Sequence, residues 1–115
     1  MSAYLLVFNK VTDNEAFEAR YPYEAVPLVK SFGGKFLLRT ETAELLEGPE
    51  SMKGSLIVVM EFPDMNALHK FWHGPEYAEV KKLRYGTCDV IAFGTDESWL
   101  NEEQSDALMK QLVSG

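Results

Sequence analysis

The chain has 115 residues, 46% hydrophobic and 25% charged, enough for one domain and too few for two separate cores. Eleven Lys and Arg against eighteen Asp and Glu leave a net charge of −7, which argues against generic binding to nucleic-acid phosphates, because that affinity comes from clustered cations. No apolar run approaches the ~20 residues that span a bilayer, and a single cysteine, Cys88, excludes an internal disulfide and a Cys-rich zinc module.

The start, Met1-Ser2-Ala3-Tyr4, has no basic region and no cleavage site, so no secretory signal is read and a cytoplasmic location is expected. Tyr4 to Phe8 is a short apolar run that reads as a strand ended by Asn9-Lys10. Asp13 offers an N-cap to a helix whose face carries Phe17, Tyr21, Ala25, Leu28 and Phe32. Pro22 and Pro27 lie inside that pattern, and a break is expected near Tyr21-Pro22. Gly33-Gly34 closes the helix.

Lys35 to Arg39 reads as a second strand, with Ala43 to Glu47 as a short extension after a turn. Leu56 to Phe62 is the strongest strand signal. Asp64 caps the next helix, which holds Met65, Leu68, Phe71 and Trp72 on one side and is interrupted at Gly74-Pro75. Tyr77, Val80, Lys81 and Arg84 follow on a further turn or two. Thr87 to Phe93 is the last core strand, with Cys88, Val90 and Ala92 on one face and Asp89, Ile91 and Phe93 on the other. Beyond it, Asn101-Glu102-Glu103-Gln104 has the form of a capping box before Leu108 and Leu112. This predicts an added amphipathic helix; a frayed tail is the alternative. The domain is expected over residues 1–95 and the helical extension over 96–115.

The order β-α-β-β-α-β is that of the ferredoxin-like arrangement, an α+β fold with a four-stranded antiparallel sheet. Its central strands are the first and third, and both are apolar on both faces: Tyr4, Leu6 and Phe8 against Leu5 and Val7, and Ile57 and Val59 against Leu56, Val58 and Met60. Two helices cover one face. The other would be a large wet apolar patch, which soluble monomers avoid. A second copy related by a two-fold axis is the expected cover, giving a homodimer through sheet faces; a tail helix folded across the free face of a monomer is the alternative.

Several constellations could carry chemistry. Glu61, Asp89 and Arg39 are charged residues on strands; on the face away from the helices they would line a space between sheets, where a carboxylate with a raised pKa can act as a general base. Their other reading is as solvated edge charges. Arg39 or Arg84 could hold an anionic group, and Tyr21, Tyr23, Trp72 and Tyr77 could stack on or hydrogen-bond a small organic ligand, although aromatics at helical spacing are more often core. His69 and His73 stand four apart on a helix, but Lys70 occupies the place of a metalloprotease glutamate and no third ligand is near, so no metal is assigned. Cys88 reads as a small buried hydrophobe. There is no phosphate loop, dinucleotide fingerprint or nucleophile elbow.

The chain resembles the DUF1330 proteins of the dimeric α/β-barrel superfamily. The likeness rests on Tyr21 with Pro27, on Ser31-Phe32-Gly33-Gly34-Lys35-Phe36-Leu37-Leu38-Arg39, on Leu46-Glu47-Gly48, on Val59-Met60-Glu61-Phe62-Pro63-Asp64, on Phe71-Trp72-His73-Gly74-Pro75-Glu76-Tyr77 and on Leu83-Arg84. It spans roughly residues 3–94. The resemblance implies a homodimer whose sheets close a barrel, and it carries over Tyr21, Gly34, Glu47, Glu76, Tyr77 and Arg84 as the family pattern. It implies little about activity, since the wider superfamily holds an isomerase, cofactor-free monooxygenases, haem enzymes and non-enzymatic domains.

Two functions of different class are therefore expected. One is the binding of a compact, mostly apolar organic molecule between helices and sheet, with acid–base chemistry and no cofactor. In it Tyr21, Trp72 and Tyr77 contact the ligand, Arg84 or Arg39 orients a carboxylate or enolate, and Glu61 or Asp89 is the base. The other is a non-catalytic interaction module whose tail helix recruits a partner.

Overall fold

The computed structural model describes residues 1–114. Strand β1 (Ala3–Val11) is followed by α1 (Asn14–Ser31), β2 (Lys35–Thr40), β3 (Leu56–Phe62), α2 (Met65–His73), α3 (Pro75–Lys81), β4 (Cys88–Asp96) and α4 (Glu102–Ser114). Single-turn 3-10 helices lie at Glu50–Met52 and Lys82–Arg84. The four strands form one antiparallel sheet in the order β2-β3-β1-β4, the ferredoxin-like arrangement read from the sequence.

Alternation along the strands separates the two faces. Ala3 and Leu5 of β1 and Leu56, Val58, Met60 and Phe62 of β3 are buried, and they meet Phe17 and Val29 of α1, Leu68 and Phe71 of α2 and Tyr77 of α3. The opposite face carries apolar rows across the sheet: Leu38, Val59, Leu6 and Phe93 in one, and Ile57, Phe8 and Ile91 in the next. Here Phe93 is 61% and Ile91 50% exposed.

The caps follow the sequence signals. Asp13 Oδ1 accepts from Ala16 N at 3.1 Å and Asp64 Oδ1 from Ala67 N at 2.7 Å. Asn101 and Gln104 exchange reciprocal bonds, 2.8 and 2.9 Å, at the start of α4. Helix α1 ends in a Schellman turn: Gly33 takes φ of +81°, Gly33 N donates to Lys30 O and Gly34 N to Val29 O.

Four expectations are corrected. Helix α1 is continuous through Pro22 and Pro27; the buried Phe17, Ala25 and Val29 hold it to the sheet on both sides of Pro22. Residues Ala43 to Glu47 form no strand; instead Leu45 and Leu46 lie beside Phe8, Met52 and Ile57 at one end of the outer face. Strand β1 runs through Asn9-Lys10 to Val11, because β4 pairs with it that far. Finally, the register of β2 shifts between Phe36 and Leu38. This β-bulge leaves Leu37 as the extra residue and puts Arg39 opposite Val58, on the helix face. Arg39 is thus not on the side of Glu61 and Asp89.

Gly34 is the tightest point between α1 and β2. A Cβ there would lie 2.8 Å from the Val29 carbonyl oxygen and 2.9 Å from Phe62 Cε1. Gly34→Ala is expected to destabilise the fold by about 1–3 kcal/mol, read as a lowered midpoint in urea; an unchanged midpoint would show that the joint can give.

Candidate functional site

A cavity of about 90 Å³ lies between α1, the α2–α3 segment and the helix face of the sheet. Its walls are mostly apolar: Val7, Phe17, Val29, Phe36, Leu56, Val58, Met60, Phe71 and Val90 line it. Tyr21, Arg39, Trp72, Tyr77 and Arg84, the five ligand-binding candidates, all line this one space. The lining includes no carboxylate. Glu61 and Asp89 sit on the other face of the sheet, opposite Tyr4 and Lys10 respectively on β1.

The local fold aims each polar group. Tyr21 projects from α1 toward α3, where its hydroxyl and that of Tyr77 lie 2.7 Å apart. Tyr77 is held by Phe71 and Trp72, whose rings lie 4.6 and 5.2 Å from it. Arg84 ends the 3-10 turn Lys82–Arg84. Its carbonyl accepts from Thr87 N at 3.0 Å and Thr87 Oγ1 at 2.7 Å, and Gly86 turns the chain with φ of +79°. That fixed turn places the Arg84 guanidinium beside both tyrosines, close enough for its charge to act on their hydroxyls.

These contacts set the charge states. Burial, then the neighbouring Tyr77, pushes the Tyr21 pKa far above the ordinary tyrosine value; Arg84 only partly opposes this. Tyr21 is therefore a neutral hydroxyl near neutral pH. For Arg84, burial acts against the charge, but hydrogen bonding to Tyr77 and charge interactions with Tyr77, Tyr21 and Cys88 outweigh it, and its pKa is raised. Lys81 lies over the rings of Trp72 and Tyr77, 4.7 and 5.4 Å from their centroids, and burial and Arg84 lower its pKa. Arg39 is 3.9 Å from both Glu18 and Glu41, half exposed and loosely held.

Sequence reasoning missed Asn9. It is 4% exposed, lines the cavity and faces the helices beside Leu56 and Val90. Its Oδ1 has no hydrogen-bond partner among the described residues. The signal was parity: Asn9 continues the inward series Leu5, Val7 of β1. Glu61 instead accepts from the Tyr4 hydroxyl at 3.1 Å and lies 3.9 Å from Lys35. The His69 and His73 rings are exposed and stack 5.5 Å apart; no group of three or more metal-ligating side chains occurs among the described residues. Cys88 is half-buried, and its thiol donates to Arg84 O at 3.6 Å.

One helix-covered sheet enclosing a small apolar cavity defines the class: a ferredoxin-like α+β domain. The chain belongs to the DUF1330 family, a domain of unknown function, whose model matches residues 2–93. Helix α4 lies beyond that match. The chain is similar in fold to RPA0582, a protein of unknown function from Rhodopseudomonas palustris, with a TM-score of 0.71, 19% identity, and coverage of 86% of this chain and 84% of that one. It is also similar to SnoaB, a cofactor-independent oxygenase from Streptomyces nogalater (TM-score 0.62, 11% identity, 88% and 97% covered). A third similar structure is a dimeric ferredoxin-like protein of unknown function from Jannaschia sp. (0.59, 13%, 84% and 100%). No curated protein matches the sequence, and among the described residues no helix is long and apolar enough to cross a membrane.

A raised folded-state pKa at Tyr21 means that its contribution to stability is complete below the ordinary tyrosine value of 10.0 and is lost as pH rises above it. The melting temperature of the wild type is expected to fall more steeply between about pH 9 and 11 than that of Tyr21→Phe. Parallel curves from the two proteins would place the alkaline sensitivity elsewhere.

Proposed function

We propose that the protein binds a compact, mostly apolar organic anion, a carboxylate or enolate, in the cavity between α1 and the sheet. The observation that carries this is the meeting of Arg84, Tyr21 and Tyr77 at a mostly apolar cavity with no carboxylate in its lining. A guanidinium flanked by two hydroxyls offers several donors to one oxyanion. Low polarity around them strengthens each bond. Apolar walls take the ring or chain, with Trp72 and Tyr77 as aromatic surfaces. The same donors would stabilise negative charge growing on an oxygen, which is the electrostatic part of cofactor-free enolate chemistry. Glu61 and Asp89, on the far face, do not serve as bases within this cavity; the base reading for them belongs to a space between two sheets.

The second part of the proposal is that the outer face joins two copies in a homodimer. The apolar row Leu38, Val59, Leu6 and Phe93, exposed at Leu38 and Phe93 and half-buried between, supports it. Each such side chain left in water forgoes roughly 1.5–3 kcal/mol, and a two-fold axis makes the patch its own complement. The dimeric state of the Jannaschia protein supports the same reading. The interaction-module alternative has one specific observation in its favour. Helix α4 is exposed along its described length, with Leu108, Met109 and Leu112 among its uncovered apolar residues.

Trp72 lines the cavity, so tryptophan fluorescence during titration with benzoate reads the site. Saturable quenching is expected in the wild type, with affinity reduced roughly 10- to 100-fold in Arg84→Ala, since hydrogen bonds to charged groups contribute about 1.5–3 kcal/mol. Equal affinities would remove Arg84 from the site. In sedimentation the wild type is expected to run as a dimer, and Phe93→Glu as a folded monomer. A monomeric wild type at micromolar concentration would overturn the assembly.

A further inference from the structure

The cavity contains a second polar feature, and no part of the anion-binding reading uses it. Asn9 lies on the central strand β1, between Leu56 of β3 and Val90 of β4. It is 4% exposed and belongs to the cavity lining, and Oδ1 has no hydrogen-bond partner among the described residues. Buried polar atoms are nearly always paired, because an orphan loses its bonds to water and gains nothing in exchange. An apolar residue of similar size, such as Leu, would fit the series Leu5, Val7 and Val11 along the same face. An amide placed there adds specificity only if something in the cavity completes it.

The complement of an amide is defined by its chemistry. A carboxamide presents one acceptor and one donor group, and rotation about its terminal bond exchanges them. A hydroxyl both donates and accepts, so it satisfies either orientation. In the anion-binding reading above, Arg84 and the two tyrosine hydroxyls meet the anionic oxygen. With apolar walls between, the cavity accepts a small ring carrying two separated oxygen functions.

We propose that the ligand of this site is a hydroxylated cyclic acid or enol, whose anionic oxygen meets Arg84 and whose hydroxyl meets Asn9. The class is that of the hydroxybenzoates and comparably small alicyclic hydroxy acids. At about 90 Å³ the cavity is smaller than the ~150 Å³ that encloses a benzene ring, so a single ring is the upper bound and part of it stays outside the cavity. This inference rests on the anion-binding reading above and adds to it a requirement for the hydroxyl.

The test titrates benzoate and the three isomeric monohydroxybenzoates into the full-length wild type, Asn9→Leu and Asn9→Ala, with folding checked by circular dichroism. At least one isomer is expected to bind the wild type about fivefold or more tighter than benzoate, the worth of one neutral hydrogen bond. That advantage is expected to disappear in whichever Asn9 variant folds, while benzoate affinity stays within about twofold of wild type. Asn9→Leu is also expected to melt no lower than wild type, since it replaces an unpaired polar group by an apolar one. If benzoate binds in an Arg84-dependent way and no isomer gains, this inference is overturned and the anion-binding reading stands. If the gain persists without Asn9, the inference is overturned as well. If neither benzoate nor any isomer binds the wild type, both readings fall together.

Discussion

Antiparallel pairing of β1 with β3 through the middle of the sheet is the constraint from which the rest follows. Each of these strands carries apolar side chains on both faces, so both sides of the sheet must be dealt with. One side is closed by α1, α2 and α3, which bury Phe62, Phe71 and Leu5 almost completely. The other side holds rows of Leu, Val, Ile and Phe that are partly or largely exposed. A fold of this size can dry one face of such a sheet with its own helices. The division of labour follows: the inner face builds a core and a cavity, and the outer face is available for association.

The cavity exists because the inner face is not uniformly filled. Besides the half-exposed Arg39 of β2, three interruptions of the apolar lining come from different parts of the chain: Asn9 from β1, the Tyr21–Tyr77 pair from α1 and α3, and Arg84 from the turn before β4. None would be stable alone in such surroundings. The tyrosine hydroxyls satisfy one another, and the Arg84 charge lies beside them. Asn9 is the exception. A polar cluster that is complete at one end and incomplete at the other gives the cavity a direction.

Much of this was legible from residue types and spacing. Alternation identified the two faces of β1 and β3, consecutive β-branched residues identified β3 itself, and capping residues at Asp13, Asp64 and Asn101 marked helix starts. The gathering of Tyr21, Trp72, Tyr77 and Arg84 around one space was within reach because they sit on the inward stripes of helices and on the turn that follows. Other features were hidden for physical reasons. Asn9 reads locally as a strand terminator, and only cross-strand pairing with β4 carries β1 past it. The prolines of α1 break isolated helices, yet packing of Phe17, Ala25 and Val29 holds this one. Arg39 shares the parity of Lys35 in the sequence, and a bulge, which leaves no local mark in side-chain type, separates them.

That bulge has a consequence for how relatives are compared. Because Leu37 is the surplus residue, Lys35 and Arg39 point to opposite sides although they are four positions apart. Whether a homologue supplies a cation to its interior then depends on strand length as much as on the letter aligned with Arg39. A relative one residue shorter here would turn the same arginine outward, away from the cavity, even where the two sequences otherwise agree.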